Sequence, residues 1–392
     1  MSQLHLANQL NGIIEGWEKT GWSGLTDTSH QLFRYWFGRD ESFPQRFHMC
    51  QQRAIETIVY CHEILQVKNL EELYLKVVPE VANQSKAILD EIKDVDFAKY
   101  CLKMATGTGK TWVLMALLIW QYFNAINKEK PHNTIGDSKD WYSNRYLIVA
   151  PGHEVLDRLL DAFKGRRDQT TGLRDLSLAD YNIELMMPQD WRIKFNLQIF
   201  EPSEIRSNTT SPEGAFVFIT NWQQFVLKKD SDSLWEKLTG YEVGEELRGE
   251  FLAEFLSEYS NMVIMNDEAH HIHLGKSASN EELVWRKFIK VLRTRLVERH
   301  KEDTGLFAQY DFSATPFFGT GKQRKYFEHI VYDYDLVKAM HEMLVKQLFL
   351  EKRIVSCRKL RFQSREKKTI RRKKTRRNRK SITGSITSIR HR

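Results

Sequence analysis

Three short stretches of this chain carry residues whose types and spacing could do chemistry: Met104-Ala-Thr-Gly-Thr-Gly-Lys-Thr111, Asp267-Glu-Ala-His270 and Ser313-Ala-Thr315. In the first, glycines at 107 and 109 let the backbone curl so that successive N–H groups surround an anion. A helix starting at Lys110 would add the positive end of its dipole. In such a loop Lys110 reaches the β- and γ-phosphates of a nucleotide and the Thr111 hydroxyl holds Mg²⁺. Thr106, Gly107, Thr108 and Gly109 form the cradle, and the expected ligands are ATP and Mg²⁺. The alternative is an ordinary glycine-rich turn. A strand-like FAKYCLKM before the loop and an apolar helical TWVLMALLIW after it argue against that.

The acidic stretch follows Met262-Val-Ile-Met265, which reads as a buried strand. A carboxylate pair leaving such a strand can hold Mg²⁺ through its first member and orient and deprotonate a water through its second. Asp267 is therefore the expected metal ligand and Glu268 the expected general base, catalytic together with Lys110. His270, His271 and His273 also invite a zinc reading, against which stands the lack of a cysteine partner on that loop. Ser313 and Thr315 can hydrogen-bond back to the acidic loop, and with His270 they make up the expected coupling set. A second Gly319-Thr-Gly-Lys322 repeats the letters of the phosphate loop. Gln323 follows its lysine and no apolar helix comes after, so it reads as a plain loop.

Reactive groups so far apart in sequence need a scaffold that gathers them. From Phe97 onward, short apolar runs (FAKYCLKM, YLIVA, AFVFI, MVIM, GLFAQYDF) each end in a polar loop and alternate with helix-like segments. Continuously apolar strands alternating with helices predict an α/β fold: a parallel sheet with helices on both faces and ligands at the carboxyl ends of its strands. Residues 1–96 carry apolar residues at helical spacing and are expected to form a helical N-terminal region. The ATP-binding lobe is expected over 97–350, with two insertions, a polar, irregular one at 160–213 and a helical, charged one at 226–260. A basic, disordered tail is expected over 351–392. No repeat is evident.

Composition narrows the class further. The 392 residues are 41% hydrophobic and 12% aromatic, the balance of a globular chain. The longest uncharged apolar run, Trp112 to Trp120, is half of a bilayer span. No signal peptide or membrane anchor is expected, and the four scattered cysteines suit a reducing cytoplasm. The net charge of +8 is a property of one end: residues 352–392 hold 18 Lys/Arg against one acid, Glu366, which leaves −9 for residues 1–351.

In this order the three stretches resemble motifs I, II and III of superfamily-two helicases, whose P-loop NTPase (RecA-like) lobe tolerates Met104 where the general phosphate-loop pattern has glycine. Cys50-Gln-Gln-Arg-Ala-Ile-Glu56 resembles the Q motif, which implies that Gln51 reads the adenine. Ala150-Pro-Gly152 resembles motif Ia and Thr220-Asn-Trp-Gln223 motif Ib. That likeness implies nucleic-acid backbone contacts from Pro151, Gly152, Thr220 and Asn221. MATGTGKT, TNWQQF, NDEAHH and the upstream QLFRYWF look most like the Res subunit of type III restriction enzymes. The resemblance spans roughly residues 28–350. It implies an ATP-driven translocase acting on DNA, duplex in the first instance, with a methyltransferase (modification) subunit as a possible partner.

A motor of this family uses a second RecA-like lobe whose arginines complete the site, and losing such an arginine typically costs about 10³ to 10⁵ in rate. No Gln-x-x-Gly-Arg-x-x-Arg pattern occurs in the chain. The nuclease-like Pro79-Glu80 with Glu91-Ile-Lys93 lies on helical sequence ahead of the motor, on the wrong side for this family. The expectation is a motor lacking its second lobe and its nuclease. The tail is either a nucleic-acid-binding arm or a stretch read out of frame, since purine-rich Glu and Lys codons yield Lys and Arg when shifted. Two other functions remain open: a DNA-repair or RNA helicase of the same superfamily, or a non-catalytic module that holds nucleic acid through its tail.

Overall fold

A computed structural model of the chain describes residues 4–38, 46–84, 92, 96–134, 140–183, 186–201, 204, 212–225, 249–271, 280–300, 306–318 and 325–346. The basic tail, the second glycine–lysine loop at 319–322, His273, Glu91 and Lys93 lie outside the described residues.

The strands are β1 (Ala98–Met104), β2 (Arg145–Ala150), β3 (Gln198–Phe200), β4 (Phe216–Asn221), β5 (Met262–Asn266), β6 (Leu306–Ser313), β7 (Phe317–Phe318), β8 (Lys325–Tyr326) and β9 (Ile330–Tyr334). Seven of them form one sheet in the order β3-β4-β2-β5-β6-β1-β9, with every pairing parallel. β7 and β8 make a separate antiparallel pair. The five apolar runs of the sequence are β1, β2, β4, β5 and β6. They are apolar at successive positions because both faces of the sheet are covered. Tyr146, Ile148, Val263 and Met265 enter one core, and Leu147, Val149, Met262 and Ile264 enter the other.

The helices are α1 (His5–Lys19), α2 (Asp27–Phe37), α3 (Met49–Val59), α4 (Leu70–Val77), α5 (Pro79–Gln84), α6 (Lys110–Ile126), α7 (His153–Lys164), α8 (Gly249–Leu256), α9 (Asn280–His300) and α10 (Leu336–His341). α6 is apolar on nearly every side because it is buried on nearly every side, between the sheet and the N-terminal helices. The described helices of the N-terminal region therefore share one core with the strands. α8 and α9 cover the opposite face with Leu252, Leu256, Phe288 and Leu292.

Polar residues fix the N-terminal layer in place. Thr26 caps α2 by accepting from Ser29 N–H. Arg53 bridges Glu18 at 2.6 Å and Glu56 at 2.9 Å, joining α1 to α3. After α3 the helix widens into a π turn at Tyr60–Ile64, which places His62 and Glu63 inside the layer.

Three elements depart from the sequence-based expectations. The polar stretch 160–213 supplies the edge strand β3, and its Phe195 and Trp191 pack on Tyr122 and Phe123. Trp36 Nε1 donates to Met186 O at 2.7 Å, pinning the same stretch to α2. Within 226–260, residues 226–248 lie outside the described residues, and the helix expected there is α8, whose Leu252 and Leu256 belong to the core rather than to an insertion. Residues 330–334, not foreseen as a strand, form β9 beside β1. Among the described residues no helix is long and apolar enough to cross a membrane.

Candidate nucleotide-binding site

The carboxyl ends of β1, β5 and β6 lie side by side, because β6 separates β5 from β1 in the sheet. The three motif-bearing loops leave from those ends. Gly107 and Gly109 adopt left-handed φ values of +84° and +81°, a region a side chain enters only with strain. A Cβ on Gly109 would stand 2.2 Å from Gln51 Nε2 and would displace that amide, while the positive φ favours glycine by conformation. Thr108 is buried and its hydroxyl donates to Ala105 O at 2.7 Å, tightening the turn. α6 begins at Lys110, directing its free N–H groups toward the loop. Thr106 is exposed and Thr111 partly so.

Lys110 Nζ stands 3.0 Å from Glu268 Oε1, with Lys110 8% and Glu268 21% exposed. Asp267 is 4% exposed, and its N–H donates to Val149 O at 3.0 Å, carrying the β5–β2 pairing one residue beyond the strand. Burial pushes its carboxyl above the usual range and the neighbouring Glu268 charge adds to this, while Lys110 opposes the shift. Glu268 itself adopts φ +47°, unusual for a residue with a side chain. Backbone strain of this kind concentrates where a side chain must be aimed.

His270 Nδ1 lies 2.9 Å from Ser313 Oγ and 3.5 Å from Glu268 Oε2. Ser313 Oγ in turn accepts from Thr315 N–H at 3.1 Å. Glu268, His270, Ser313 and Thr315 thus form one connected path across the strand ends. Gln51 is buried, its Oε1 accepting from His48 N–H at 2.9 Å and its Nε2 donating to Thr108 O at 3.1 Å. Its amide is already engaged with the phosphate loop, and one N–H and one oxygen lone pair keep further capacity.

The residues expected to meet nucleic acid divide in two. Pro151 and Gly152 are partly exposed, whereas the side chains of Thr220 and Asn221 are buried at the end of β4. Trp222 Nε1 donates to Pro151 O at 2.8 Å and so joins the two loops. His271 is the last described residue of the acidic loop, and among the described residues no group of three His, Cys, Asp or Glu is placed to hold a metal.

Two neighbours of the site had no signal in the sequence. Val345, beyond α10, packs on the phosphate loop, its Cγ1 3.2 Å from where a Gly107 Cβ would be. Arg158 on α7 bears on Asp267 electrostatically. Neither belongs to a motif, and only the folded chain brings them near.

The site fits a nucleoside triphosphate with its Mg²⁺. The cradle favours glycine at 109, the cation and first helical turn face it, and a buried carboxylate and a partly exposed hydroxyl, hard oxygen donors, stand at its edge. No curated protein matches the chain. The sequence profile of the type III restriction enzyme res subunit matches residues 47–318, more than half of its length and inclusive of all three motif loops. This chain belongs to the type III restriction enzyme res subunit family, and its sheet and loops are those of an ATP-dependent, helicase-type motor domain.

Proposed function

We propose that the chain supplies the ATP-binding lobe of a DNA-dependent translocase of the restriction type. The observation that carries this reading is the 3.0 Å contact between Lys110 and Glu268, which sets the cation of the phosphate loop against the acidic loop beside a buried Asp267. The backbone of Thr106 to Gly109 holds the phosphates, and Lys110 neutralises the β- and γ-oxygens by leaving Glu268 for them. Gln51 braces the loop through Thr108 O and offers its remaining N–H and lone pair to the base. Thr111 and Asp267 would hold Mg²⁺, which when bound offsets the charge of the phosphate oxygens. Released from Lys110, the Glu268 carboxylate orients a water and accepts its proton.

His270, Ser313 and Thr315 relay the state of that carboxylate to the strand ends, and Pro151, Gly152, Thr220 and Asn221 lie where a nucleic-acid backbone would be followed. For Thr220 and Asn221 this requires the β4 end to open, so their role is positioning in the closed state. Arginines from a second lobe complete sites of this kind. In this reading residues 1–96 brace the phosphate-loop helix, 97–350 form the motor lobe, and the modification subunit is the protein partner.

The test is equilibrium binding of a fluorescent ATP analogue with Mg²⁺ to the full chain. Lys110→Ala should weaken it at least about a hundredfold, a loss of about 2.7 kcal/mol. Glu268→Gln should bind as tightly as wild type or more so, because the competing ion pair is gone. Equal binding by wild type and Lys110→Ala would defeat the reading. Deleting 353–392 separates any binding of DNA by the tail from binding by the lobe.

A further inference from the structure

Asp311 is a carboxylate with no solvent exposure in the middle of the sheet, and nothing in the nucleotide chemistry above uses it. A charge so placed is costly unless paired and hydrogen-bonded. It accepts from Asn266 Nδ2 at 2.7 Å and from Gln309 Nε2 at 2.9 Å on one oxygen, and meets His329 Nε2 at 2.7 Å on the other. The His329 side chain reaches Asp311 across β1, in the register where Cys101 faces Asp311. The His329 carbonyl accepts from Cys101 N–H at 2.7 Å, and Phe327 stacks on the imidazole at 5.4 Å.

The positions of these partners give the network its meaning. Asn266 immediately precedes Asp267 and Glu268. Asp311 lies two residues before Ser313. Residues 313–318 leave the end of β6, and β8 brings the chain back antiparallel to β7, with Phe327 N–H donating to Pro316 O at 3.0 Å. The returning strand then delivers His329 to Asp311. The loop bearing Ser313 and Thr315 is therefore held at both feet by one buried carboxylate, which also grips the residue next to the acidic pair.

We infer that Asp311 and His329 are positioning residues: they form a clasp that fixes Ser313 against His270, so that nucleotide at Lys110 and Glu268 is felt by residues 313–318. This rests on the nucleotide-binding reading given above. Asp311 itself is satisfied by donors from three segments, although Asn266 Oδ1 has no partner, and losing one of those donors lets the strand ends shift relative to each other. His329 acts through its donor at Nε2, which glutamine can replace and phenylalanine cannot.

Hydrogen–deuterium exchange on the full chain, with and without AMP-PNP and Mg²⁺, reads both claims at once. In wild type the nucleotide should slow exchange in 104–111 and also in 313–318, the latter by at least about fivefold, the lower end of ordinary coupling between sites. Asp311→Asn and His329→Phe should keep the protection at 104–111 and lose it at 313–318, while His329→Gln keeps both. Protection at 313–318 that survives His329→Phe would overturn the clasp and leave nucleotide binding standing. No protection at 104–111 in wild type would overturn the nucleotide reading itself. If Asp311→Asn is unfolded by its melting curve, the two His329 variants decide the matter.

Discussion

The two ends of α6 place ionisable groups under opposite conditions. Along its body, the N-terminal layer buries Glu63 with donors arranged around it: Thr26 N–H at 2.9 Å, the Ser29 hydroxyl, and Trp120 Nε1 at 2.8 Å. Asn124 continues the network to Ser29 and Thr26. At its first residue, Lys110 faces a strained, partly exposed Glu268 beside a buried Asp267. The body of the helix is satisfied from within the chain, and in the proposed function its start is where the nucleotide binds. Burial pushes the Glu63 carboxyl upward, and the surrounding donors oppose this. The same desolvation raises Asp267, but there the next-largest influence is another negative charge, which favours a cation. A network without spare capacity stabilises; one with spare capacity binds.

The sharpest way to break that comparison is to exchange the roles. Glu63→Ala leaves several buried donors without acceptors and should cost about 3 kcal/mol in chemical denaturation, with nucleotide affinity little changed. Lys110→Ala should do the reverse, leaving stability within about 1 kcal/mol, since Glu268 stays partly exposed and can be hydrated once the cation is removed. A Glu63→Ala loss below about 1 kcal/mol would mean that water takes the place of the carboxylate and that the layer is less closed than described.

A second difference concerns protons. His62 is buried against Trp120 and Tyr142 with Nε2 2.8 Å from Trp141 O, and burial pulls its pKa from 6.5 down to about 4. It is therefore neutral in the folded chain where the unfolded chain is already protonated. Stability that it supports above about pH 6.5 is lost as pH falls toward about 4, at about 1.4 kcal/mol per unit for one proton. Melting curves across that window should show the slope, and His62→Gln, which keeps a donor for Trp141 O, should reduce it. An unchanged slope in the variant would assign the acid sensitivity elsewhere. The smallest expected effect is at the loops that follow β2 and β4. Trp222→Phe removes the donor to Pro151 O and should cost about 1 kcal/mol in stability; no measurable change would show that the two loops are held together by packing alone.

Much of this molecule is legible in the order of its residues. Runs such as YLIVA and MVIM read as strands covered on both sides because, at four or five residues, they are too short for a buried helix such as α6. Gly107, Gly109, Lys110 and Thr111 state a phosphate site through local backbone freedom and charge, and Asp267 and Glu268 follow a strand whose end is easily read. β9 was not legible: five residues containing an acid carry little signal until β1 offers an edge to pair with. Residues 160–213 look irregular because their fit is made by single aromatic contacts with α6 and α2 rather than by a period.

The sequence by itself determined the parallel α/β architecture and where the candidate glycine–lysine loop, acidic pair and Ser-Ala-Thr turn leave its strands, since each motif depends on neighbours within a few residues. Tertiary structure decided which groups meet: Lys110 with Glu268, Gln51 with Thr108, Val345 with Gly107, and Asp311 with Asn266 and His329. The physical reason is range. Propensity, capping and backbone freedom act along the chain, whereas an ion pair or a buried hydrogen bond depends on separation in space, and strand order sets that separation.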